Sequence, residues 1–574
     1  MTFLVRLLVM AVVLVSACAP APNQAPGAGP AAERPAGSQT PKIINVAINE
    51  DPPSFWEVAV GGGGNGGGRA LLPAVNQFLA VVGADGTPHP RLLAELPSIE
   101  RGTWRVAPDG SMETIWRIRS DARWHDGTPF TTDDLIFSVE LNRDVEVPNS
   151  NRAAVAPIIR MEATSNTDIL VSWSQVYPFA DRLADRELMP VPKHLLESTY
   201  RESKEALINR SYWNVDYVGL GPYRIGRWER GAFLELAAFD AYFLGRPKID
   251  AIRVQFIVDE NTLVANLLSR SVHAALPPGG GAFEPLDMVR RDWEASGYGT
   301  ALSNSEFWTF IETQKIRNPT PTDINDTRVR RAMLHALDRA EIVRVLYADR
   351  GIVGDSWLHP ETPRYRRLSG AITRYAYDPR RASELLAEAG WRPGADGILE
   401  KDGQRFNLKV RVTSDERIGL IFIDNWRAVG IAGEVDELSL QAQRDRMLRA
   451  TFTGVDGTSN PMTLLAVQRR FSTASIPTPD NAWTGVNRGG YSNPEWDALA
   501  DATLVALDES RQLELEERML RLMTTDLPAM PLTYNIQLTP VGGGLTGIEP
   551  IRGVPHTGTI LYAWNIHEWD LRTR

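Results

Sequence analysis

The stretch from residue 116 to 139, WRIRSDARWHDGTPFTTDDLIFSV, constrains the fold of this chain more than any other. Two sets of side chains alternate over residues 115–120, which predicts a strand with two different faces. Asp126-Gly127 predicts a tight turn, because glycine accepts a positive φ and aspartate can bond its own backbone. Thr131 suits a helix N-cap, and the two acidic residues at 133 and 134 favour the start of a helix. The stretch therefore predicts a strand, a turn and a helix.

The amino-acid sequence of this stretch is more specific than the strand, turn and helix that it predicts. It resembles the signature of the family 5 solute-binding proteins of ABC importers, the receptors for peptides, nickel and oligosaccharides. Their pattern is a strand of the type "tfhLR" followed by "vkFhDGtPftAeDV". Here residues 116–119 read WRIR and residues 122–131 read ARWHDGTPFT. Further segments that resemble family motifs follow in family order, at residues 219–223 (GLGPY), 238–250, 259–269, 326–332, 378–391, 490–497 and 527–532.

The resemblance runs from about residue 42 to 540 and implies a fold and an activity. The fold is a two-lobed α/β periplasmic-binding-protein-like fold (type II, cluster C) with an extra inserted subdomain. The activity is capture of an extracytoplasmic solute by a monomer that closes around it and delivers it to an ABC permease and its ATPase. The implied domains are lobe 1 in three segments (42–85, 216–305 and 532–574), an inserted subdomain (86–215) and lobe 2 (306–531).

The start of the chain predicts export and a lipid anchor. Arg6 precedes an apolar run, residues 7–15, that is too short to span a bilayer. Cys18 is the only cysteine and follows Val15-Ser16-Ala17, which resembles a lipobox. We therefore expect a signal peptide over residues 1–17 and a lipidated, flexible Pro/Ala/Gly-rich tether over residues 18–41. The alternative is an ordinary secretory signal in which Cys18 is incidental.

Composition argues against several other classes of protein. The formal charge is −10, and no run of lysines and arginines suggests a nucleic-acid partner. The chain has no GK[ST], GxSxG, HExxH or CxxC motif, so we expect no enzyme, no cofactor and no metal site. A glycine-rich run at residues 61–68 matches GxGxxG, but such a run matches that pattern by accident, and a loop is expected there. His125, in the signature turn, is expected to be structural.

The ligand site is where the resemblance weakens. In peptide-binding members of the family, a carboxylate four residues before a proline pairs with the N-terminal ammonium of the peptide. Here residues 454–461 read GVDGTSNP, and Asp456 is five residues before Pro461. Either a one-residue shift keeps the ammonium anchor at Asp456 and Gly457, or the anchor is missing and Asp456 belongs to an Asx turn.

Aromatic residues near the segments that border the cleft in the family are the other candidates for ligand contact. They are Trp56, Trp308, Trp483 and Tyr534. A peptide is the expected ligand, because it is the commonest ligand of the family. An oligosaccharide or another neutral solute is the alternative, as is a receptor or chaperone-like lipoprotein that no longer serves transport. An exported hydrolase on the same architecture is a further alternative from another class.

The lone cysteine generates a direct test. Cys18→Ser removes the thiol that a lipid would modify, so we expect the variant to lose acylation and to leave the membrane fraction or stay unprocessed. Metabolic labelling with a fatty acid and membrane fractionation measure both effects. A variant that partitions with membranes as the wild type does would contradict the lipobox interpretation.

Overall fold

The structure is a computed structural model. It describes residues 40–572 except for 56–67, 83–87, 148–154, 182, 184–187, 277–282, 318, 413–415, 437, 439–441, 443–444 and 550–561. The expected signal peptide, tether and Cys18 lie outside the described residues, as do Trp56 and most of the glycine run. None of the helices in the described part of the chain is long and apolar enough to span a bilayer.

Lobe 1 is built on a mixed sheet of seven strands. They are β1 Ile43–Ile48, β9 Tyr223–Glu229, β10 Phe233–Ala238, β11 Ala251–Phe256, β12 Ala274–Ala275, β13 Gly299–Asn304 and β22 Gln537–Gly542. Their spatial order is β13-β22-β12-β1-β11-β10-β9. Strand β1 is parallel to both β11 and β12, and β22 is antiparallel to both of its neighbours. The carboxyl ends of β1, β11 and β12 therefore share one edge of the sheet.

Helices cover both faces of this sheet. They are α1 Gly68–Val75, α3 Lys193–Glu202, α4 Lys204–Ile208, α5 Glu260–Leu268 and α6 Phe283–Ser296, with short 3₁₀ turns at Ser211–Trp213 and Tyr562–Glu568 and a two-stranded ribbon of β23 Leu545–Thr546 and β24 Asp570–Leu571. Val46 and Ile48 pack with α1 on one face, whereas Ala47 packs with α5 and α6 on the other. Burial on both faces explains the almost unbroken apolar run of β1.

A second sheet forms the inserted subdomain. Its strands are β4 Leu93–Glu95, β5 Trp104–Val106, β6 Met112–Ile118, β7 Ile158–Ala163 and β8 Asp168–Trp173, with the hairpin β2 Ala80–Val82 and β3 Pro88–Pro90 beside it and α2 Thr132–Arg143 after the signature turn. Its order is β4-β6-β8-β7, and β5 pairs with β6. Trp116 and Trp173 are fully buried in its core, with ring centroids 5.9 Å apart.

Lobe 2 has a five-stranded sheet of its own. The strands are β14 Phe307–Thr313, β18 Asn407–Val412, β19 Ala432–Asp436, β20 Val455–Pro461 and β21 Ala529–Tyr534, in the order β19-β18-β20-β14-β21. The helices around it are α7 Thr327–His335, α8 Arg339–Tyr347, α9 Pro363–Leu368, α10 Pro379–Glu388, α11 Glu416–Arg427, α12 Arg446–Ala450, α13 Leu464–Phe471, α14 Pro494–Thr503 and α15 Glu509–Asp526. Short elements complete the lobe: β15 Arg392–Pro393, β16 Leu399–Lys401, β17 Gln404–Arg405 and 3₁₀ turns at Thr322–Asn325, Ser369–Ala371 and Thr473–Ser475.

The signature stretch folds as its sequence predicts. Strand β6 is followed by a turn in which Gly127 has a φ of +91° and Asp126 accepts a hydrogen bond from the Thr128 amide. Thr131 caps α2 and forms a reciprocal capping box with Asp134. His125 is buried and structural, since one ring nitrogen lies 3.1 Å from the Gly219 nitrogen and the other 3.0 Å from the Gly221 oxygen.

The sequence of lobe 2 predicts helix starts at Asp326, Asp338 and Asp378, a capping box between Asp338 and Glu341, and a helix end at Gly390. Most of these predictions are confirmed, and one is wrong in part. Asp326 and Asp378 cap α7 and α10, and Gly390 follows α10 with a φ of +97°. Asp338 caps α8, but the expected capping box with Glu341 does not form. The Asp338 amide instead donates to Asn425 Oδ1 at 2.6 Å, because α11 packs against the start of α8. A partner distant in sequence has replaced the local one.

The GLGPY segment passes so close to the end of α1 that only glycine fits. A Cβ at Gly221 would lie 2.4 Å from the Ala74 oxygen, and one at Gly219 would lie 1.9 Å from the Val75 oxygen. Both contacts are with main chain, which cannot rotate away as a side chain can. These two glycines therefore bring the signature turn, which bonds to the same segment through His125, against the core of lobe 1.

This close approach predicts a large effect from a single methyl group. Gly221→Ala should cost about 1–3 kcal/mol of folding free energy, because the backbone of either α1 or GLGPY must move. Urea unfolding measures the loss. Gly226→Ala is the matched control, since a Cβ there would meet its nearest neighbour at an ordinary 3.4 Å. Equal stability of the two variants would contradict the steric argument.

Candidate functional site

The two sheets of the lobes are joined by two short crossings that lie side by side. Strand β13 ends in lobe 1 at Asn304, and β14 begins in lobe 2 at Phe307. Strand β21 ends in lobe 2 at Tyr534, and β22 begins in lobe 1 at Gln537. Because Tyr534 still pairs with Trp308 in the lobe 2 sheet, we place the return crossing at residues 535–536, not after residue 531.

Hydrogen bonds tie the two crossings together. The Phe307 amide donates to Asn535 Oδ1 at 2.8 Å, and the Asn535 amide donates to the Phe307 oxygen at 3.0 Å. On the lobe 1 side, β13 and β22 pair along six residues. Rotation of one lobe against the other must therefore be absorbed within about two residues of each crossing, which is the geometry of a hinge.

The lobe 1 side of the hinge presents neutral polar groups. Asn49 follows the carboxyl end of β1, and β22 carries Gln537 and Thr539 beside the crossing. Asn49 Oδ1, Gln537 Nε2 and Thr539 Oγ1 are buried and make no hydrogen bond within the described part of the chain. Carboxyl ends of parallel strands are the usual place for a ligand in open α/β sheets. An amide or hydroxyl there can bond a ligand without introducing a charge.

Two of the predicted aromatic residues meet in the lobe 2 sheet, but as core residues. Trp308 and Tyr534 are register partners, with relative exposures of 0% and 1%. Trp308 stacks on Phe310 with ring centroids 4.3 Å apart. The Tyr534 hydroxyl donates to the Leu358 oxygen at 2.6 Å, and burial raises the pKa of Tyr534. Both side chains lie close to the hinge, yet neither presents a free ring face.

Trp483 lies apart from Trp308 and Tyr534. It has a φ of +58° in the loop after α13 and is partly exposed. The guanidinium of Arg317 lies 5.3 Å from its ring centroid. Arg317 follows the carboxyl end of β14, and the hinge is at the other end of that strand. Trp56 cannot be placed, because it lies outside the described residues.

Asp456 and Gly457 lie on β20, inside the lobe 2 sheet. Gly457 faces the helix α11, and a Cβ there would lie 3.3 Å from the Phe422 ring. Asp456 is the register partner of Glu312 on β14 and of Arg411 on β18. It is 2% exposed, and its Oδ1 has no hydrogen-bond partner within the described residues.

A buried group of charges surrounds Asp456. Glu312 and Arg470, each 3% exposed, form an ion pair, and Arg411 binds Asp436 at 2.7 Å. Burial, and then repulsion from Glu312, raises the pKa of Asp456 from 3.8 to about 7. Burial and the neighbouring guanidiniums of Arg470 and Arg449 lower the pKa of Arg488 to about 10.

No sequence pattern predicts this group of buried charges. Glu312, Arg449, Arg470 and Arg488 belong to no motif, and they meet through strand register and the packing of α13. The number of guanidiniums matters for the proposed ammonium anchor at Asp456. Several guanidiniums around one carboxylate oppose the approach of a further cation, such as the ammonium of a peptide. Among the described residues, no cluster of three or more His, Cys, Asp or Glu side chains could hold a metal ion.

The two sheets, the paired crossings and the inserted subdomain define a two-lobed solute-binding protein of the periplasmic type. The family model for bacterial extracellular solute-binding proteins, family 5, matches residues 97–466, and the chain belongs to that family.

Curated relatives cover part of the chain. The oligopeptide-binding protein AppA of Bacillus subtilis is 26% identical over 339 residues, 56% of this chain and 58% of AppA. Di/tripeptide-binding protein 2 of Pseudomonas aeruginosa is 23% identical over 465 residues, 75% of this chain and 80% of the relative. The chain thus spans between half and three fifths of the length of several curated relatives that it matches, AppA among them.

Solved structures share the whole fold at low identity. NikZ from Campylobacter jejuni, in complex with Ni(L-His), has a TM-score of 0.71 at 21% identity over 92% of this chain and 100% of NikZ. AppA from Bacillus subtilis, in complex with a nonapeptide, has a TM-score of 0.67 at 19% identity over 93% of this chain and 100% of AppA. These likenesses confirm the two-lobed α/β fold.

The raised pKa of Asp456 predicts a pH dependence of stability. A pKa higher in the folded than in the unfolded state favours the protonated native form. The stability contributed by this group is therefore full below about pH 4 and is lost as the pH rises towards 7. Asp456→Asn cannot ionise, so its stability relative to wild type should rise by roughly 1–3 kcal/mol between pH 5 and 8.

Urea unfolding at four pH values from 5 to 8 measures this difference. Asp480→Asn, at an exposed position, is the control and should follow the wild-type slope. Parallel slopes for Asp456→Asn and the wild type would show that Asp456 is ionised in the folded protein throughout this range.

Proposed function

We propose that this chain is the solute-binding component of an ABC importer, and that it captures a peptide between its two lobes. The observation that carries the proposal is the pair of short crossings in a chain of this family, because they allow two rigid lobes to open and close. The names of the relatives support a peptide: AppA is an oligopeptide-binding protein, and its solved structure holds a nonapeptide.

Capture follows from the hinge geometry. In the open state both lobes are solvated, and a solute contacts one of them. Closure brings the second lobe onto the solute and excludes water, so ligand affinity and closure form one equilibrium. Asn49, Gln537 and Thr539 supply neutral hydrogen-bonding groups at the hinge, as a peptide main chain requires. No covalent bond is made or broken, and no cofactor is involved.

The proposed location is the outer face of a membrane, and the proposed partners are the other subunits of the importer. The protein is exported and held at the outer face of a membrane by a lipid on Cys18, with residues 19–41 as a tether. It acts as a monomer and delivers its solute to the permease and ATPase subunits of the importer. The supporting observations are the small residues before the lone cysteine and the Pro/Ala/Gly-rich composition of the tether.

A second candidate is a solute without a free amine, such as an oligosaccharide or another neutral solute. The interior position of Asp456 favours this class, since the guanidiniums around its carboxyl group oppose the approach of an ammonium. Other ligand chemistry occurs on this fold: NikZ was solved with Ni(L-His) and AgaA with agropinic acid.

These observations predict how peptides bind. If the Asp456 carboxyl group is buried in lobe 2 and does not contact the ligand, free and N-acetylated peptides of the same sequence should bind with affinities within about threefold of each other. Asp456→Asn should leave both affinities unchanged within that range. If Asp456 and Gly457 form an ammonium anchor, acetylation and Asp456→Asn should each weaken binding by about 30-fold or more, or roughly 2–5 kcal/mol.

Calorimetry with a di- to pentapeptide library, and mass spectrometry of any co-purifying solute, make the measurement. Trp483→Leu and Trp56→Leu test the aromatic contacts in the same assay, and Tyr534→Phe tests the hydroxyl. Binding of neither form of any peptide would reject the peptide proposal in favour of the second candidate.

A further inference from the structure

The start of α6 makes contacts across the two lobes, beside the hinge crossings. Helix α6 belongs to lobe 1, because its core residues pack under β1 and only two residues separate it from β13. The Phe283 ring meets the Tyr347 ring of lobe 2 edge-to-face, with centroids 5.6 Å apart. Glu284 and Arg417 form an ion pair at 3.1 Å, and Asp287 and Arg350 lie 3.7 Å apart.

The lobe 2 side of this contact is built from two helix ends. Tyr347 is the last residue of α8, and the next two residues, Ala348 and Asp349, have φ values of +47° and +62°. This left-handed turn ends the helix and brings Arg350 back towards α6. Arg417 is the second residue of α11, in the same lobe. Each partner is thus fixed by the main chain of its own lobe.

The contact has an apolar centre with charges at its rim. Phe283 is buried in the lobe 1 core, and Tyr347 packs against both that core and the core of lobe 2. Asp287 is held in place by Arg290 of its own helix at 2.7 Å, so its charge stays paired when Arg350 departs. Separation of the lobes would therefore expose aromatic surface and break the ion pair of Glu284, but it would leave no buried charge alone.

We propose that these residues form a closure latch, defined as Phe283, Glu284 and Asp287 on α6 with Tyr347, Arg350 and Arg417 on lobe 2. The lobe arrangement of this structure, in which these contacts are made, is taken as the closed state, and the latch stabilises it whether or not a solute is bound. It sets the open–closed equilibrium of the empty protein. Insofar as the proposed solute capture holds, the latch also tunes affinity, because a ligand that binds the closed state binds more weakly when that state is less populated.

Charge reversal at the rim tests the latch without disturbing the core. Glu284→Arg and Arg417→Glu each place like charges together across the lobes, and the double variant restores an opposite pair. Small-angle X-ray scattering of the empty full chain, carrying Cys18→Ser to remove the proposed lipid site, should give a larger radius of gyration for each single variant. The double variant should return towards the value of the parent.

The matched control reverses the charges of an ion pair that lies within one lobe. Lys409 and Glu434 lie 3.8 Å apart on neighbouring strands of lobe 2, and their reversals should leave the scattering unchanged. Tyr347→Leu is a second variant, which removes the ring contact without adding charge and should also enlarge the molecule. The effect of the charge reversals should shrink in 1 M NaCl, and that of Tyr347→Leu should not.

Two results would overturn the latch: scattering of both single variants and of Tyr347→Leu that equals the parent's, or a double variant as expanded as the singles. Because the scattering uses empty protein, it tests the latch even if no peptide binds. Where a ligand is found, each single variant should bind it about three- to tenfold more weakly, and the double variant should recover. Loss of ligand affinity without expansion would assign these residues to ligand contact instead.

Discussion

The exchange of hydrogen bonds between Phe307 and Asn535 is the constraint on which the architecture depends. It holds the two crossings together at the one place where the sheets of the two lobes are continuous through the chain. Because the crossings are joined, the lobes can rotate about one shared axis. Two separate crossings would instead act as independent tethers. The carboxyl ends of the parallel strands β1, β11 and β12 lie at the edge of the lobe 1 sheet next to this axis, which is where the unpaired polar atoms of Asn49, Gln537 and Thr539 are found in the described part of the chain.

Local sequence patterns predicted the elements well where the interactions are local. The turn at Gly127, the cap at Thr131 and the end of α10 at Gly390 depend on residues within a few positions of one another. Asp338 shows the limit of such patterns: its side chain caps α8 as predicted, but its amide bonds to Asn425, about ninety positions away. No local pattern contains that partner.

The candidate site was less predictable for the same reason. The sequence indicates Trp308 and Tyr534 as candidates for ligand contact, and the structure places them together inside the core of lobe 2. Asp456 was chosen by its distance from Pro461, whereas its environment is set by Glu312 across the strand and Arg470 on α13. Strand register over more than a hundred residues determines those contacts. The overall fold, by contrast, was predictable, because the family resemblance extends over most of the chain.

The His125 ring is bonded to Gly219 and Gly221, and its burial there has a consequence for a protein that works outside the cell. Burial lowers the pKa of this imidazole to about 4, so it stays uncharged in mildly acid surroundings. Its two hydrogen bonds to the GLGPY segment then keep their pattern. The inserted subdomain and lobe 1 therefore stay joined at this point when the surroundings become mildly acid.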